Sequence, residues 1–212
     1  MKDLIPDWRF RLKQTLRFAI LLTFACATVV ALSNFALAQK VDFAFGGGSL
    51  LAPGISSTSG DHSPVSLSGG TYLGFSGDVI LFHNLGFGTT INWRASQAPN
   101  YGDLGFNFRP LFYEFNAVYS PKIVKHAYLE VVGGIGALNT HFYTGTNCGI
   151  SSCTNYQGIH HFMGDFGGGL KLYTKHNIFI RPEARVYLVN NNLEFSSAHA
   201  VRVGASIGYT FK

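Results

Sequence analysis

The last 15 residues, Ala198 to Lys212 (AHAVRVGASIGYTFK), place Val201, Val203, Ala205, Ile207, Tyr209 and Phe211 in strict alternation with Arg202, Gly204, Ser206, Gly208 and Thr210. Successive side chains of a β-strand point to opposite faces, so this stretch has one face suited to lipid and one suited to water. About ten residues of such alternation is what a strand crossing a bilayer within a closed barrel requires. The C-terminal segment is therefore expected to be a transmembrane strand.

The N-terminal segment agrees with export. Arg9, Arg11, Lys13 and Arg17 precede an apolar core, Ala19 to Leu32, and Ala36-Leu37-Ala38 fits the small-x-small pattern of a cleavage site. Residues 1–38 are expected to be a cleavable signal peptide. The apolar run is shorter than the roughly 20 residues a helix needs to cross the hydrocarbon, which argues against a retained anchor. Thr23-Phe24-Ala25-Cys26 lacks the aliphatic residue of a lipoprotein box.

Cleavage changes the charge balance. The chain has 16 basic and 11 acidic residues, of which residues 1–38 hold five and two, leaving 11 against nine over residues 39–212. The pI of about 9.2 is thus largely a property of the leader. No basic run remains to neutralise successive phosphates, so nucleic-acid binding is not expected. Residues 39–212 make one domain's worth of chain, rich in Gly, Phe and Tyr.

The same alternation recurs along this domain, and eight strands are predicted near 40–48, 69–82, 85–95, 104–120, 127–143, 160–174, 178–188 and 198–212. The fourth is irregular, because Phe106 and Phe108 share the parity of Glu114 while Leu111, Tyr113 and Phe115 have the other. A bulge near Arg109-Pro110 would reconcile the two, since one extra residue flips the facing of everything beyond it. An even number of antiparallel strands closes without an unpaired edge, as lipid demands. The expected fold is all-β, an eight-stranded antiparallel transmembrane β-barrel over 39–212. Connections near 82–85, 120–126 and 174–177 are short, and those near 49–68, 96–103, 144–159 and 190–197 are mostly longer and more polar. Such asymmetry marks periplasmic turns and extracellular loops, and places both termini in the periplasm.

With apolar parity facing lipid, the opposite parity faces inward. It carries Asp78, Arg94, Glu114, Glu130, Asp165, Lys171, Arg181, Glu183, Arg185 and Arg202. Eight strands leave an interior just wide enough to be filled by side chains, and buried charges are tolerable when paired. A salt-bridged plug is expected, with inward glycines such as Gly74, Gly88 and Gly167 leaving room for long arginines. Tyr72, Tyr119, Tyr128, Tyr173, Tyr209 and Trp93 lie near strand ends and suit interfacial aromatic girdles. Leu50-Leu51 suits the membrane surface.

Cys148 and Cys153 remain after cleavage, in a polar loop exposed to an oxidising compartment, where they are expected to close a small disulfide ring. A metal site joining them to His160 and His161 lacks a second pair at ligand-like spacing. No cofactor, metal or phosphate loop is expected: Gly46-Gly47-Gly48 is not followed by the Lys-Ser/Thr that such a loop needs.

The eight-strand pattern, the leader and the tract from Phe108 to Pro121 (FRPLFYEFNAVYSP) resemble small outer-membrane β-barrel proteins of the OmpA-like and opacity type. The resemblance spans about residues 40–212 and implies an integral protein of the Gram-negative outer membrane, in contact with outer-membrane lipids and lipopolysaccharide; the sequence leaves the oligomeric state open, with a monomer as the expectation. It also implies a C-terminal aromatic signal read by the barrel-assembly machinery, carried here by Tyr209 and Phe211, with Phe211 penultimate rather than last. Function is then expected in the extracellular loops, as envelope integrity or surface interaction without enzymatic activity. Two alternatives come from other classes: a narrow pore or transport barrel for a small hydrophobic molecule, and a lipid-modifying enzyme. For the enzyme, Glu194, Ser196, Ser197 and His199 would have to form the nucleophile, base and orienting carboxylate.

Overall fold

The computed structural model describes residues 40–53, 66–101, 106–143, 147–148, 153–154, 156–190 and 195–212. The expected signal peptide lies outside them. Eight long strands form the molecule: β1 (Lys40–Leu51), β2 (Thr71–Phe82), β3 (Leu85–Arg94), β4 (Phe106–Tyr119), β5 (Ala127–Tyr143), β6 (Gln157–Tyr173), β7 (Ile178–Val189) and β8 (His199–Phe211). Each pairs antiparallel with its chain neighbours, and β8 returns to pair with β1, Val41 opposite Phe211 through Leu51 opposite Val201. The sheet is thereby closed, and each long strand has a partner on both sides.

Three short connections gather at one end of the barrel, with the first and last strand termini. His83-Asn84 joins β2 to β3, both residues at positive φ (46° and 67°) as a tight hairpin turn requires. A short strand, Lys122–Val124, and a turn at Lys125-His126 lead from β4 into β5, and a 3-10 turn, Lys175–Asn177, joins β6 to β7. This end is called the turn end below, and the opposite end the loop end.

The alternation is realised almost residue for residue. Phe45, Phe75, Phe87, Phe115, Ile135, Phe162, Ile180 and Ile207 point outward and are exposed, forming an apolar belt of the kind a bilayer covers. Between them Ser76, Asp78, Glu114, Glu130, Arg181 and Arg202 point inward and are buried.

Two expectations are corrected. β4 carries no bulge at Arg109-Pro110: its pairing with β5 runs unbroken from Asn107 opposite Tyr143 to Tyr119 opposite Val131. Proline is accommodated differently, because the ladder with β3 ends at Leu111 opposite Trp93, and a separate short strand, Ala98–Tyr101, takes up the pairing only at Phe108, opposite Ala98. Pro110 falls in that gap, where a missing donor costs little. Phe108 and Phe112 consequently share the inward face with Glu114, and both are fully buried. The tyrosines also divide. Tyr119 and Tyr209 lie outward at the turn end, whereas Tyr72 is buried inside the barrel and Leu50, beside the loop end, is inside as well. Tyr128 and Tyr173 are half-buried at the turn-end opening, their rings 5.2 Å apart.

Candidate functional site

The interior is filled mainly by two layers, with a smaller buried apolar cluster, Ile80, Val118 and Val132, near the turn end. On the turn-end side lies a charge network built by inward positions of seven strands. Lys171 of β6 sits among three carboxylates: Asp42 Oδ2 of β1 at 2.7 Å, Asp78 Oδ2 of β2 at 3.6 Å, and Glu130 of β5. Arg181 of β7 reaches Glu130 Oε1 at 2.8 Å, Asp78 at 3.3 Å and Glu183 at 3.1 Å, and its guanidinium also donates to the hydroxyls of Ser76 (2.8 Å) and Ser206 (3.1 Å). Arg202 of β8 pairs with Glu183.

Deeper in the barrel, Arg185 pairs with Glu114 and stands 4.0 Å from Asp165. Glu114 further accepts from Asn92 Nδ2 (2.7 Å) and the Tyr187 hydroxyl (2.9 Å). The Asn116 amide, oriented to satisfy both of its ends, donates to Asp165 at 2.8 Å and accepts from Arg185 at 3.1 Å. These neutral donors matter, because the network holds six carboxylates against four cations, and a buried carboxylate needs every lone pair addressed.

Nine of the ten inward charges predicted from the sequence meet in this network, joined by Asp42, which the same parity points inward. Arg94 lies apart. At the loop end of β3 it packs under Gly70, where a Cβ would come within 2.4 Å of its Nε, and no ion pair to it occurs among the described residues. Glycine makes the crowding possible elsewhere too: a Cβ on Gly74 would stand 2.2 Å from Asn92 Oδ1, and one on Gly88 would stand 2.1 Å from Asp78 Oδ1.

Above the charges, toward the loop end, the interior turns apolar. Leu50, Tyr72, Phe108, Phe112, Leu138, Phe142, Met163 and Tyr187 form a buried cluster. Two residues from the connections, Leu67 and Phe195, fold into it from the loop end and are 1% and 2% exposed. Phe112 stacks on Tyr187 at 4.8 Å, and Phe108 lies 6.2 Å from Phe142 and 6.3 Å from Phe195. Alternation puts Tyr72 and Tyr187 on the inward face but gives no sign that polarity changes along the axis, and it does not place Leu50, expected at the membrane surface, or Phe108, which a bulge would turn outward. The space beside Gly74, Arg181, Arg202 and Ser206 amounts to about 10 Å³, at the limit for one water.

The remaining sequence candidates fall as follows. Ser196 donates to the Pro53 carbonyl (2.8 Å), and Ser197 donates to the His199 carbonyl (3.0 Å) while accepting from the His199 amide, so both hydroxyls serve backbone groups. Glu194 lies outside the described residues. His160 and His161 occupy opposite faces of β6, exposed and buried respectively, and His161 Nδ1 is 2.9 Å from the Asn190 carbonyl. Cys148 and Cys153 are register partners in a two-stranded ladder, Asn147–Cys148 with Cys153–Thr154. Tyr209 and Phe211 lie outward on β8 at the turn end, rings 4.7 Å apart.

A closed antiparallel barrel of eight strands, apolar outside and filled inside, is the fold of the small outer-membrane β-barrels. Among solved structures, Neisserial surface protein A superposes with a TM-score of 0.56 at 10% identity, over 81% of this chain and 96% of that one. Ail, the attachment invasion locus protein of Yersinia pestis, solved in complex with the heparin analogue sucrose octasulfate, gives 0.52 at 10% identity, over 81% and 98%. A major outer membrane protein from Thermus thermophilus gives 0.52 at 10% identity, over 81% and 99%. Neither a protein-family model nor a curated protein sequence matches the chain.

Proposed function

We propose that this chain is an integral, non-enzymatic outer-membrane protein whose barrel is a sealed scaffold and whose interactions are made by its extracellular connections. The observation that carries this reading is the filled interior: a charge network and an apolar cluster lie in series along the axis, leaving the loop end as the place for variable business. In this reading the turn end, with both termini, faces the periplasm, and the longer connections face outward. The apolar belt contacts outer-membrane lipids and lipopolysaccharide around a monomer, and Tyr209 and Phe211 serve the barrel-assembly machinery. Surface interaction is favoured over a purely mechanical role by likeness to Ail, which holds a sulfated ligand.

The test is ion conductance in planar bilayers, using protein whose migration on a gel shifts with heating as folded barrels do. A folded, silent barrel is the expected result. Discrete steps of stable conductance would overturn the sealed scaffold and make a narrow pore the function.

A further inference from the structure

Basic residues gather at the turn end. Over residues 39–212, every lysine except the buried Lys171 falls at the turn end: Lys40, Lys122, Lys125, Lys175 and Lys212. The carboxylates outside the interior network, Asp61, Asp103 and Glu194, lie outside the described residues. The turn end also holds a cavity of about 380 Å³, within the range of small-molecule sites. Lys40, Lys122, Lys125, Lys212, His126 and His176 line it, and none of the described side chains lining it is acidic.

We propose that this cavity binds a small, multiply charged phosphate-bearing anion. Among the described residues none of its four lysines forms an ion pair, so four ammonium groups line one concavity whose described side chains offer no counter-charge. Their mutual repulsion is relieved by an anion, and low-dielectric walls focus their field. Part of that wall is fixed: Tyr173 hydrogen-bonds Thr210 at 2.8 Å, its ring meets Tyr128, and Lys40 Nζ sits 4.3 Å above the Tyr128 ring. Lysines as point charges suit phosphate, whereas planar carboxylates are favoured by the arginine fork, and no arginine is among the described residues lining this cavity. The phosphate could come from a soluble molecule or from the headgroup of an anionic phospholipid. The inference does not depend on what the loop end binds.

The experiment is calorimetric titration of the full-length protein, purified from membranes in a zwitterionic detergent, with inorganic pyrophosphate. Saturable binding is expected, weakening several-fold as salt rises from about 50 to about 300 mM. The exposed-turn double variant Lys122→Glu/Lys125→Glu should lose about tenfold or more in affinity while keeping heat-modifiable migration; if it does not fold, Lys40→Gln is expected to lose affinity instead. Repeating the titration in nanodiscs separates the sources. Weaker pyrophosphate binding in phosphatidylglycerol than in phosphatidylcholine assigns the cavity to lipid headgroups, and equal binding assigns it to a soluble ligand. Absence of saturable binding in detergent, or equal affinity in the folded charge-reversed variant, would overturn the proposal.

Discussion

Lys171 is fully buried and is the cation on which Asp42, Asp78 and Glu130 converge. Replacing it by methionine keeps most of the volume and leaves three carboxylates facing one another. Breaking a buried network in this way costs about 3–5 kcal/mol, and the expected result for Lys171→Met is a large fall in the urea midpoint of unfolding. A midpoint within error of the parent would show that the carboxylates do not depend on the ammonium. Space is as sensitive as charge. A side chain at Gly88 would meet Asp78 at 2.1 Å, whereas at Gly133 the nearest atom is 3.9 Å away. Gly88→Val is therefore expected to lose the heat-modifiable band on a gel, and Gly133→Ala to retain it; the reverse pattern would contradict the packing described.

At the scale of elements, β4 is the most instructive, because its one inward face serves both layers: Phe108 and Phe112 belong to the apolar cluster and Glu114 to the charge network. Truncating a buried phenylalanine costs about 3–5 kcal/mol. Phe112→Ala should lower the unfolding midpoint well beyond Phe115→Ala, whose side chain lies outward and is 69% exposed. Comparable losses would mean that the inward cluster is not a packed core. The short ladder between β5 and β6 carries its own expectation. Directly opposed residues of antiparallel strands have Cα separations within the range a disulfide spans. Protein taken from the oxidising side of the membrane should show Cys148 and Cys153 in one peptide pair, lighter by two hydrogens than after reduction.

For the whole molecule, the consequence of two layers in series is that opening one does not open the barrel. Phe195→Ala thins the apolar cluster at the loop end yet leaves the charge network intact, so conductance is expected to stay silent. Steps appearing in that variant would locate the seal at the loop end alone. The interior pairs, sheltered from solvent ions, should also make unfolding nearly independent of salt, in contrast to the exposed lysines of the turn end.

Most of the architecture was legible in the linear order of residues. A period of two is a local property: side chains alternate across any strand, so the number of strands, their outward faces and the inward direction of Asp78, Glu114, Lys171 and Arg181 could be read without knowing how strands pair. Height along the barrel axis could not. It is set by register between strands remote in sequence, and Lys171 meets Asp42 from 129 positions away. Register alone decided that Phe108, Phe112, Tyr72 and Leu50 share an apolar layer, that Arg94 stands outside the network while Asp42 stands within it, and that Pro110 falls in a gap rather than a bulge. Alternation determines which side of the wall a residue faces; only closure of the sheet determines what it meets there.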